Sequence, residues 1–399
     1  MKPMKKILGL LLALCLIAGC TSAFAAGIPV EQVKIGYITI GDENEGYSAN
    51  HLNGLKEAQA ALGISDDQVL CKYNVPETED AYEAAIDLAE QGCNIIFATS
   101  FGHESYVFQA AAEYPNIQFC HATGTAAMSS PLNNVHNYFY AVYESRYVSG
   151  VVAGMKLAQM IEDGTITAEN AKIGYVGAFP FAEVISGFTS FFLGARSQCP
   201  SVTMEVRYTN SWGDMALEKE TAEALIADGC VLISQHADTT GAPSACEAAG
   251  VPCVGYNISM LPVAPNTALT SAAGDWGAYV TYAVKCLIDV EEIARDWCKG
   301  YAEGAVYTTE LNDSIVAPGT AEKVAELEEA FKAGTVKVFD TSAFTVNGET
   351  VTTYLADVDD LGDYVGETEA ISDGVFLESF YRSAPYFDLD IDGITNLDA

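Results

Sequence analysis

VKIGYITIGDENEGYSANHLNGLKEAQAA, residues 33–61, is the stretch that decides the fold, because a short apolar run and a helical run meet there across one polar loop. Residues 33–40 have the character of a buried strand. Residues 49–61 have the apolar spacing of an amphipathic helix. A short strand followed by a helix is the unit of a parallel sheet that is covered by helices on both faces.

The same alternation of apolar runs and amphipathic stretches continues along the chain and then starts again. The first series predicts further strands at residues 68–74, 94–99 and 118–121 and helices at 80–91 and 105–114. The second series predicts strands at residues 172–177, 202–208, 230–235 and 254–256 and helices at 182–197, 215–228 and 242–249. Two series of this kind predict an α/β protein made of two doubly wound lobes.

The length and the later elements suggest where the lobes begin and end. A chain of 399 residues is too long for one compact core. We assign a strand at residues 268–271 and a helix at 276–294 to the first lobe, so the chain crosses between lobes more than once. The expected lobes are residues 30–140 with 260–315, and 141–259 with 316–399. A hairpin near residues 344–355 is expected to pack against the second lobe.

The beginning of the chain resembles an export signal. Three lysines precede an apolar run at residues 7–17, which is too short to span a bilayer as a stable helix. Residues 17–20, Ile-Ala-Gly-Cys, match the bacterial lipoprotein box, so residues 1–20 are predicted to be a lipoprotein signal peptide and Cys20 the site of lipid attachment. The alternative is cleavage after residues 23–25, Ala-Phe-Ala, which would release a soluble protein. Both alternatives place the protein outside the cytoplasm, and the first anchors it to the cell membrane.

Charge and cysteine content narrow the ligand classes. Without the three leader lysines the chain has 16 basic and 54 acidic residues and a net charge of −38. Such a charge argues against nucleic acid as a partner and disfavours nucleotides, whereas neutral or cationic small ligands remain favoured. Nine cysteines follow Cys20 without short paired spacings, which indicates small buried hydrophobic residues rather than a disulfide framework.

The sequence contains none of the common enzyme signatures. A phosphate-binding loop, a nucleophile elbow, a His-Glu-x-x-His motif and a Cys-x-x-Cys pair are all missing from it. Residues 388–393 have part of a calcium-loop pattern but lack its closing glutamate. We therefore predict no catalytic residue, no cofactor and no metal.

Aromatic and polar side chains follow the predicted strands at their C-terminal ends, where open α/β sheets bind ligands. Four of these side chains could stack on a planar heterocycle: Tyr47, Phe101, Phe181 and Trp212. Three others could bind its polar edge: Glu183, His236 and Asp238. The alternatives are ordinary loop or core packing for each aromatic residue, a helix N-cap for Asp238 and a solvated face for Glu183. His121 is expected to hold its own loop by bonding to backbone.

Several of these segments match a known family in order. They are residues 99–102 (TSFG), 119–124 (FCHATG), 210–212 (NSW), 235–238 (QHAD) and 275–277 (DWG). Together they resemble the purine-binding branch of the basic membrane protein family of ABC-transporter substrate-binding lipoproteins, over about residues 33–300. The resemblance implies a type I periplasmic-binding-protein fold with a hinge. It also implies a purine-like ligand, a permease and the ATPase of that permease.

Departures from the family pattern bear on the choice of ligand. Other members bind ribose through an Asp after the fourth strand, where this chain has His121 and Ala122, so the resemblance favours a free base over a nucleoside. We therefore expect a solute-binding lipoprotein that captures a purine base or nucleoside between its lobes. A sugar-binding protein or a ligand sensor of the same fold is the alternative, and a nucleoside-processing enzyme is the least favoured.

Overall fold

The computed structural model describes residues 27–358 and 365–398. The expected signal peptide and its Cys20 lie outside the described residues. The described chain forms two lobes, each built on a mainly parallel sheet between layers of helices. No helix in the described ranges is both long and apolar enough to cross a membrane.

The first lobe begins with five strands. A helix follows each of the first three, and the last two follow one another without a helix between them. Its elements are β1 (Ile35–Ile38), α1 (Gly46–Leu62), β2 (Val69–Lys72), α2 (Glu79–Glu90), β3 (Ile95–Ala98), α3 (Glu104–Glu113), β4 (Gln118–Ala122) and β5 (Val135–Tyr140). The predicted strands and helices of this region are confirmed within a few residues. The strand β5 was not predicted.

A long helix then leads the chain into the second lobe, where the alternation repeats. The elements are α4 (Val142–Glu162), β6 (Lys172–Gly177), α5 (Ala182–Gln198), β7 (Thr203–Tyr208), α6 (Met215–Ala227), β8 (Leu232–Gln235), α7 (Gly241–Ala249) and β9 (Cys253–Tyr256). Helices α4 and α5 pack backbone to backbone, because a Cβ on Gly150 would lie 2.0 Å from the carbonyl oxygen of Phe191. The second series of predicted elements is also confirmed.

The chain then passes between the lobes twice more. The elements are β10 (Ala268–Gly274), α8 (Trp276–Asp289), β11 (Asp296–Lys299), β12 (Val306–Thr308) and α9 (Thr320–Lys332). Strand β10 pairs with β9 in the second lobe, whereas α8 packs on α1 and β11 pairs with β5 in the first. Assigning residues 268–271 to the first lobe was therefore wrong. Strand β12 pairs antiparallel with β10, so the chain is back in the second lobe by residue 306.

The remaining strands are short: β13 (Leu355–Ala356), β14 (Thr368–Glu369), β15 (Ile371–Ser372), β16 (Val375–Phe376) and β17 (Ile394–Asn396). Of the expected hairpin at residues 344–355 the described structure has the turn, where an antiparallel bridge joins Val346 to Glu349. Its expected length is wrong, because Leu355–Ala356 pairs with Thr368–Glu369 instead. Strand β17 adds to the edge of the second sheet beside β7. Single 3-10 turns occur at Val30–Gln32, Asp66–Gln68, Phe101–His103, Ala168–Asn170 and Tyr301–Glu303.

The two sheets share a strand order. In the described residues the first sheet has the order β2-β1-β3-β4-β5-β11 and the second β17-β7-β6-β8-β9-β10-β12. All neighbours in both sheets are parallel except β10 and β12. The winding direction reverses between β1 and β3 and again between β6 and β8. Ligands of open α/β sheets bind outside the carboxyl ends of the strands at such reversals.

The cysteines behave as the sequence indicated. All nine in the described ranges are free, and all but Cys71 and Cys298 are buried. They therefore contribute small apolar side chains to the two lobes rather than covalent links between them.

Candidate ligand-binding site

The two reversal points face each other across a small cavity of about 20 Å³. The first lobe contributes Ile40, Tyr47, Ser100, Phe101 and Thr123, and the second contributes Glu183, Trp212, His236, Asp238 and Tyr256. A cavity of this size holds about one water molecule. A planar ring is therefore admitted only if side chains or lobes move.

Aromatic side chains from opposite lobes touch at one end of this cavity. The ring centroids of Phe101 and Phe181 are 5.6 Å apart, and about two fifths of each side chain is exposed (43% and 41%). Trp212 lies beside them, with its ring 5.0 Å from Phe179 and 6.1 Å from Phe181. These rings form an aromatic wall beside the cavity.

Tyr47 is held more firmly on the first-lobe side. Its hydroxyl donates to the carbonyl oxygen of Thr99 at 2.5 Å, and its ring makes edge contacts with His51 and Trp276. Since the hydroxyl is engaged, Tyr47 offers a ligand its ring rather than a polar group.

The lobes meet directly at the beginning of helix α1. Glu45 caps this helix, because its carboxylate accepts from the backbone N–H groups of Tyr47 and Ser48 at 2.6 and 2.8 Å. The N–H of Gly46 donates across the cleft to the carbonyl oxygen of Asp238 at 3.1 Å. A Cβ on residue 46 would lie 2.6 Å from that oxygen, so this approach requires glycine.

Asp238 is buried at the centre of a group of carboxylates. Its Oδ1 accepts from the side-chain amide of Asn257 at 2.8 Å. Burial, and then the nearby charges of Glu45, Glu218 and Glu183, raise the pKa of Asp238 well above its usual value. Burial therefore favours the neutral form of this carboxyl group, which donates as well as accepts a hydrogen bond. Thr240 occupies the N-cap position of helix α7, so the N-cap alternative for Asp238 is wrong.

His236 and Glu183 form a pair on the second-lobe side. The Nε2 atom of His236 lies 3.2 Å from Oε1 of Glu183, and burial, followed by the charge of Arg146, lowers the pKa of His236 to about 4. The neutral ring donates from Nε2 to the carboxylate, which keeps Glu183 in the cavity wall. Only 16% of the Glu183 side chain is exposed, so it does not lie on a solvated face.

Arg146 lies behind this pair and was missed by the sequence analysis. It is fully buried on helix α4, donates from Nη1 to the carbonyl oxygen of Gln235 at 2.6 Å, and places its guanidinium 3.7 Å from the ring centroid of Tyr256. A cation over an aromatic face stabilises both groups. Its positive charge also lies behind a cavity wall that is otherwise acidic. A lone arginine in an apolar helix is the only sequence signal that could have found it.

The structure brings most of the predicted site residues together. Six of them line the small cavity: Tyr47, Phe101, Glu183, Trp212, His236 and Asp238. Phe181 lines an adjoining, wider cleft and contacts Phe101. Their role in binding a ligand stays a prediction. His121 bonds through Nε2 to the carbonyl oxygen of Ser100 at 2.7 Å, which confirms its expected backbone contact.

Other wall residues were missed as site residues. Ile40, Ser100, Thr123 and Tyr256 also lie at or just beyond strand ends. Their positions at strand ends could have identified them, but their residue types did not distinguish them from other residues of these loops. Among residues 27–358 and 365–398, no group of His, Cys, Asp and Glu side chains could hold a metal ion.

Comparison with known proteins shows a family match for this chain. Residues 38–338 match the model of the Bmp family, described as PnrA-like ABC transporter substrate-binding proteins. A protein of Brucella abortus named a purine-binding protein is 33% identical over 311 residues, which cover 77% of this chain and 83% of the relative. A protein of Haloferax volcanii named for glucose binding in an ABC transporter is 30% identical over 79% of this chain and 76% of its own.

Solved structures support the fold. A solute-binding protein of an ABC transporter system from Aeropyrum pernix superimposes with a TM-score of 0.63 at 19% identity, over 76% of this chain and 92% of the other. The expected periplasmic-binding-protein fold is thus confirmed.

The buried carboxylate of Glu218 should make the stability of the protein depend on pH. It accepts from the N–H of Thr239 behind Asp238, and burial raises its pKa to about 7. The unfolded chain therefore loses this proton first as the pH rises from about 4.5 to 7, and the folded state loses stability over that range. Glu218→Gln removes this loss. From pH 5 to pH 8 the free energy of unfolding of the variant should rise by roughly 2 kcal/mol relative to the wild type.

Urea unfolding at pH 5, 6, 7 and 8 measures this difference. Glu220→Gln on the exposed side of the same helix is the matched control and should show no such trend. A Glu218→Gln difference that stays constant with pH would contradict the assignment.

Proposed function

The chain belongs to the PnrA-like family of ABC transporter substrate-binding proteins, and on this premise we propose that it captures a purine base or nucleoside between its lobes and delivers it to an ABC permease. Members of this family bind solutes rather than transform them, and the substrate-binding proteins of ABC importers work outside the cytoplasm. The choice of ligand is argued below from the cleft.

The aromatic contact between lobes is the observation that carries the proposal. Phe101 and Phe181 come from opposite lobes and border the wider cleft, which has a volume of about 760 Å³, and Phe101 also lines the small cavity. Turning these side chains into the wider cleft would admit a flat ring between the lobes while the contact of Gly46 with Asp238 stays in place. Stacking on such faces suits any planar heterocycle.

Polar groups at the other end of the cavity suit the edge of a purine. The neutral form of Asp238, which burial favours, donates to a ring nitrogen or a carbonyl oxygen and accepts from an exocyclic amine. Glu183 adds an acceptor that is fixed by His236. A ring with donors and acceptors side by side meets both requirements, whereas a phosphate would be repelled by the carboxylates.

Closure of the lobes is the response to ligand in this proposal. A ligand shifts the equilibrium between open and closed lobes only by its differential contacts with the two states. A ring touched by Tyr47 from one lobe and by Trp212 from the other makes contacts that exist only in the closed state. The permease would then recognise the closed form, and no covalent step is needed.

The relatives support two ligand classes. The name of the Brucella abortus relative supports a purine. The name of the Haloferax volcanii relative favours a sugar as the second candidate, because aromatic faces also stack on pyranose rings. The buried Asp238 and the aromatic rings of Phe181 and Trp212 favour the purine.

Replacing Trp212 tests the proposed stacking. Trp212→Ala should weaken binding of the preferred purine about ten- to a hundredfold, since stacking contributes roughly 1 to 3 kcal/mol per base. Isothermal titration of adenine, guanine, their nucleosides and glucose against wild type and variant gives the affinities. Asp238→Asn should change the ranking of adenine against guanine, because an amide replaces the carboxyl group.

Phe380→Ala is the control, since Phe380 is 72% exposed and lies outside the cavity wall. The proposal fails if Trp212→Ala and Asp238→Asn bind every purine as tightly as wild type does. Tight binding of glucose without purine binding would favour the second candidate, and conversion of a purine to a product would favour an enzyme.

Lipid anchoring forms a separate part of the proposal. The Ile-Ala-Gly-Cys sequence at residues 17–20 supports attachment of lipid to Cys20. Cys20→Ala, expressed in a bacterium that processes lipoproteins, should move the protein from the membrane fraction to the soluble fraction, because stable anchoring needs acyl chains. Mass spectrometry of the wild type should find a lipid-modified N-terminal cysteine. A wild-type protein that carries no lipid would contradict this part alone.

A further inference from the structure

The C-terminal segment, residues 339–358 and 365–398 of the described chain, lies beyond the family match, which ends at residue 338. It packs beside the candidate site and forms one wall of the wider cleft, which we call the outer chamber. The outer chamber shares Phe101, Thr123 and Glu183 with the small cavity, so the two spaces are continuous.

Contacts with both lobes hold this wall in place. The backbone N–H and the hydroxyl of Ser383 both donate to the carboxylate of Asp296 on β11 in the first lobe, each at 2.5 Å. Five residues earlier, the buried carboxylate of Glu378 accepts from the hydroxyl of Ser186 on α5 in the second lobe. The segment is therefore a fixed part of the cleft rather than a loose tail.

Polar side chains of the segment face the outer chamber together with aromatic ones. They include Tyr354, Arg382, Tyr386 and Asp388. The hydroxyl of Tyr354 donates to Oδ1 of Asp388. The Nε of Arg382 donates to the carbonyl oxygen of Ala384 at 3.1 Å, and its guanidinium lies 5.9 Å from the ring centroid of Tyr386. These bonds orient a guanidinium and a carboxylate along one wall.

We propose that the C-terminal segment supplies a second subsite of the ligand site, in which Arg382 and Asp388 bind hydroxyl groups on the part of the ligand that projects from the stacked ring. This inference rests on the proposed function and adds a structural element that lies outside the family match. It places the projecting group beyond Phe101 and Phe181, where the small cavity opens into the outer chamber. It thus favours a nucleoside over the free base that the departures at His121 and Ala122 favour.

The chemistry of the wall selects a neutral, hydroxyl-bearing group. A carboxylate accepts from hydroxyl groups and a guanidinium donates to them, so neighbouring hydroxyls can satisfy both. Tyr354 and Tyr386 offer apolar ring faces beside these groups. A phosphate would meet the carboxylates of Glu183 and Asp388 on the same chamber, in a chain of net charge −35. A free base would leave the outer chamber to water.

Matched pairs of ligands test this subsite. Isothermal titration should show that the wild type binds adenosine or guanosine about tenfold more tightly than adenine or guanine, which corresponds to one or two net hydrogen bonds. In Asp388→Asn and Arg382→Met this ratio should fall to about twofold or less, while the affinity for the base stays unchanged. Asp373→Asn is the matched control, because it removes one carboxylate from an exposed turn of the same segment outside the chamber.

The other possible results of these titrations distinguish failure of the subsite from failure of the proposed function. Equal affinity of the wild type for base and nucleoside, or variants that keep the wild-type ratio, would overturn the subsite. Equal loss of base and nucleoside affinity would also overturn it, since that result means a structural role. If no purine binds, the proposed function fails, and thermal-shift titrations with D-ribose and D-glucose then decide the subsite. A sugar that stabilises the wild type but neither variant would support the subsite. If neither sugar stabilises the wild type, the subsite is overturned.

Discussion

One backbone hydrogen bond between the lobes determines the geometry of the cleft: the N–H of Gly46 donates to the carbonyl oxygen of Asp238. Gly46 begins a helix, so its amide has no partner within that helix. A side chain at this position would collide with the oxygen, which is why residue 46 must be glycine where the lobes approach. This contact brings Tyr47 from one lobe next to Asp238 and Trp212 from the other, and thereby makes one site from two sheet ends.

Electrostatics decide what such a cleft can hold. Asp238 lies among Glu45, Glu183 and Glu218, and burial together with these charges raises its pKa. Arg146 provides a buried positive charge behind Tyr256 and Gln235 without lining the cavity. The result is a cleft with acidic and polar groups next to aromatic faces, which suits an uncharged flat ring and disfavours an anion.

Much of this could be predicted from the sequence, because strands of a parallel sheet are buried on both faces and therefore appear as short apolar runs. Side chains after such runs had to converge, and six of the seven predicted ones line one cavity. Pairing between distant segments could not be predicted, since the apolar run at residues 268–271 would suit either sheet. Arg146 was missed because its helix was not predicted at all. The contact of the C-terminal segment with the first lobe includes single side-chain bonds, such as that of Ser383 to Asp296, which leave no periodic pattern.

Hydrogen exchange at the amide of Gly46, followed by NMR or by mass spectrometry of short peptides, tests the central claim most directly. This amide is protected only when the lobes meet, because its acceptor, the Asp238 carbonyl, belongs to the other lobe. Saturation with the purine that binds most tightly should slow its exchange markedly, while amides in the middle of helix α1 change little. Unchanged exchange at Gly46 in the fully liganded protein would contradict closure of the lobes over the ligand.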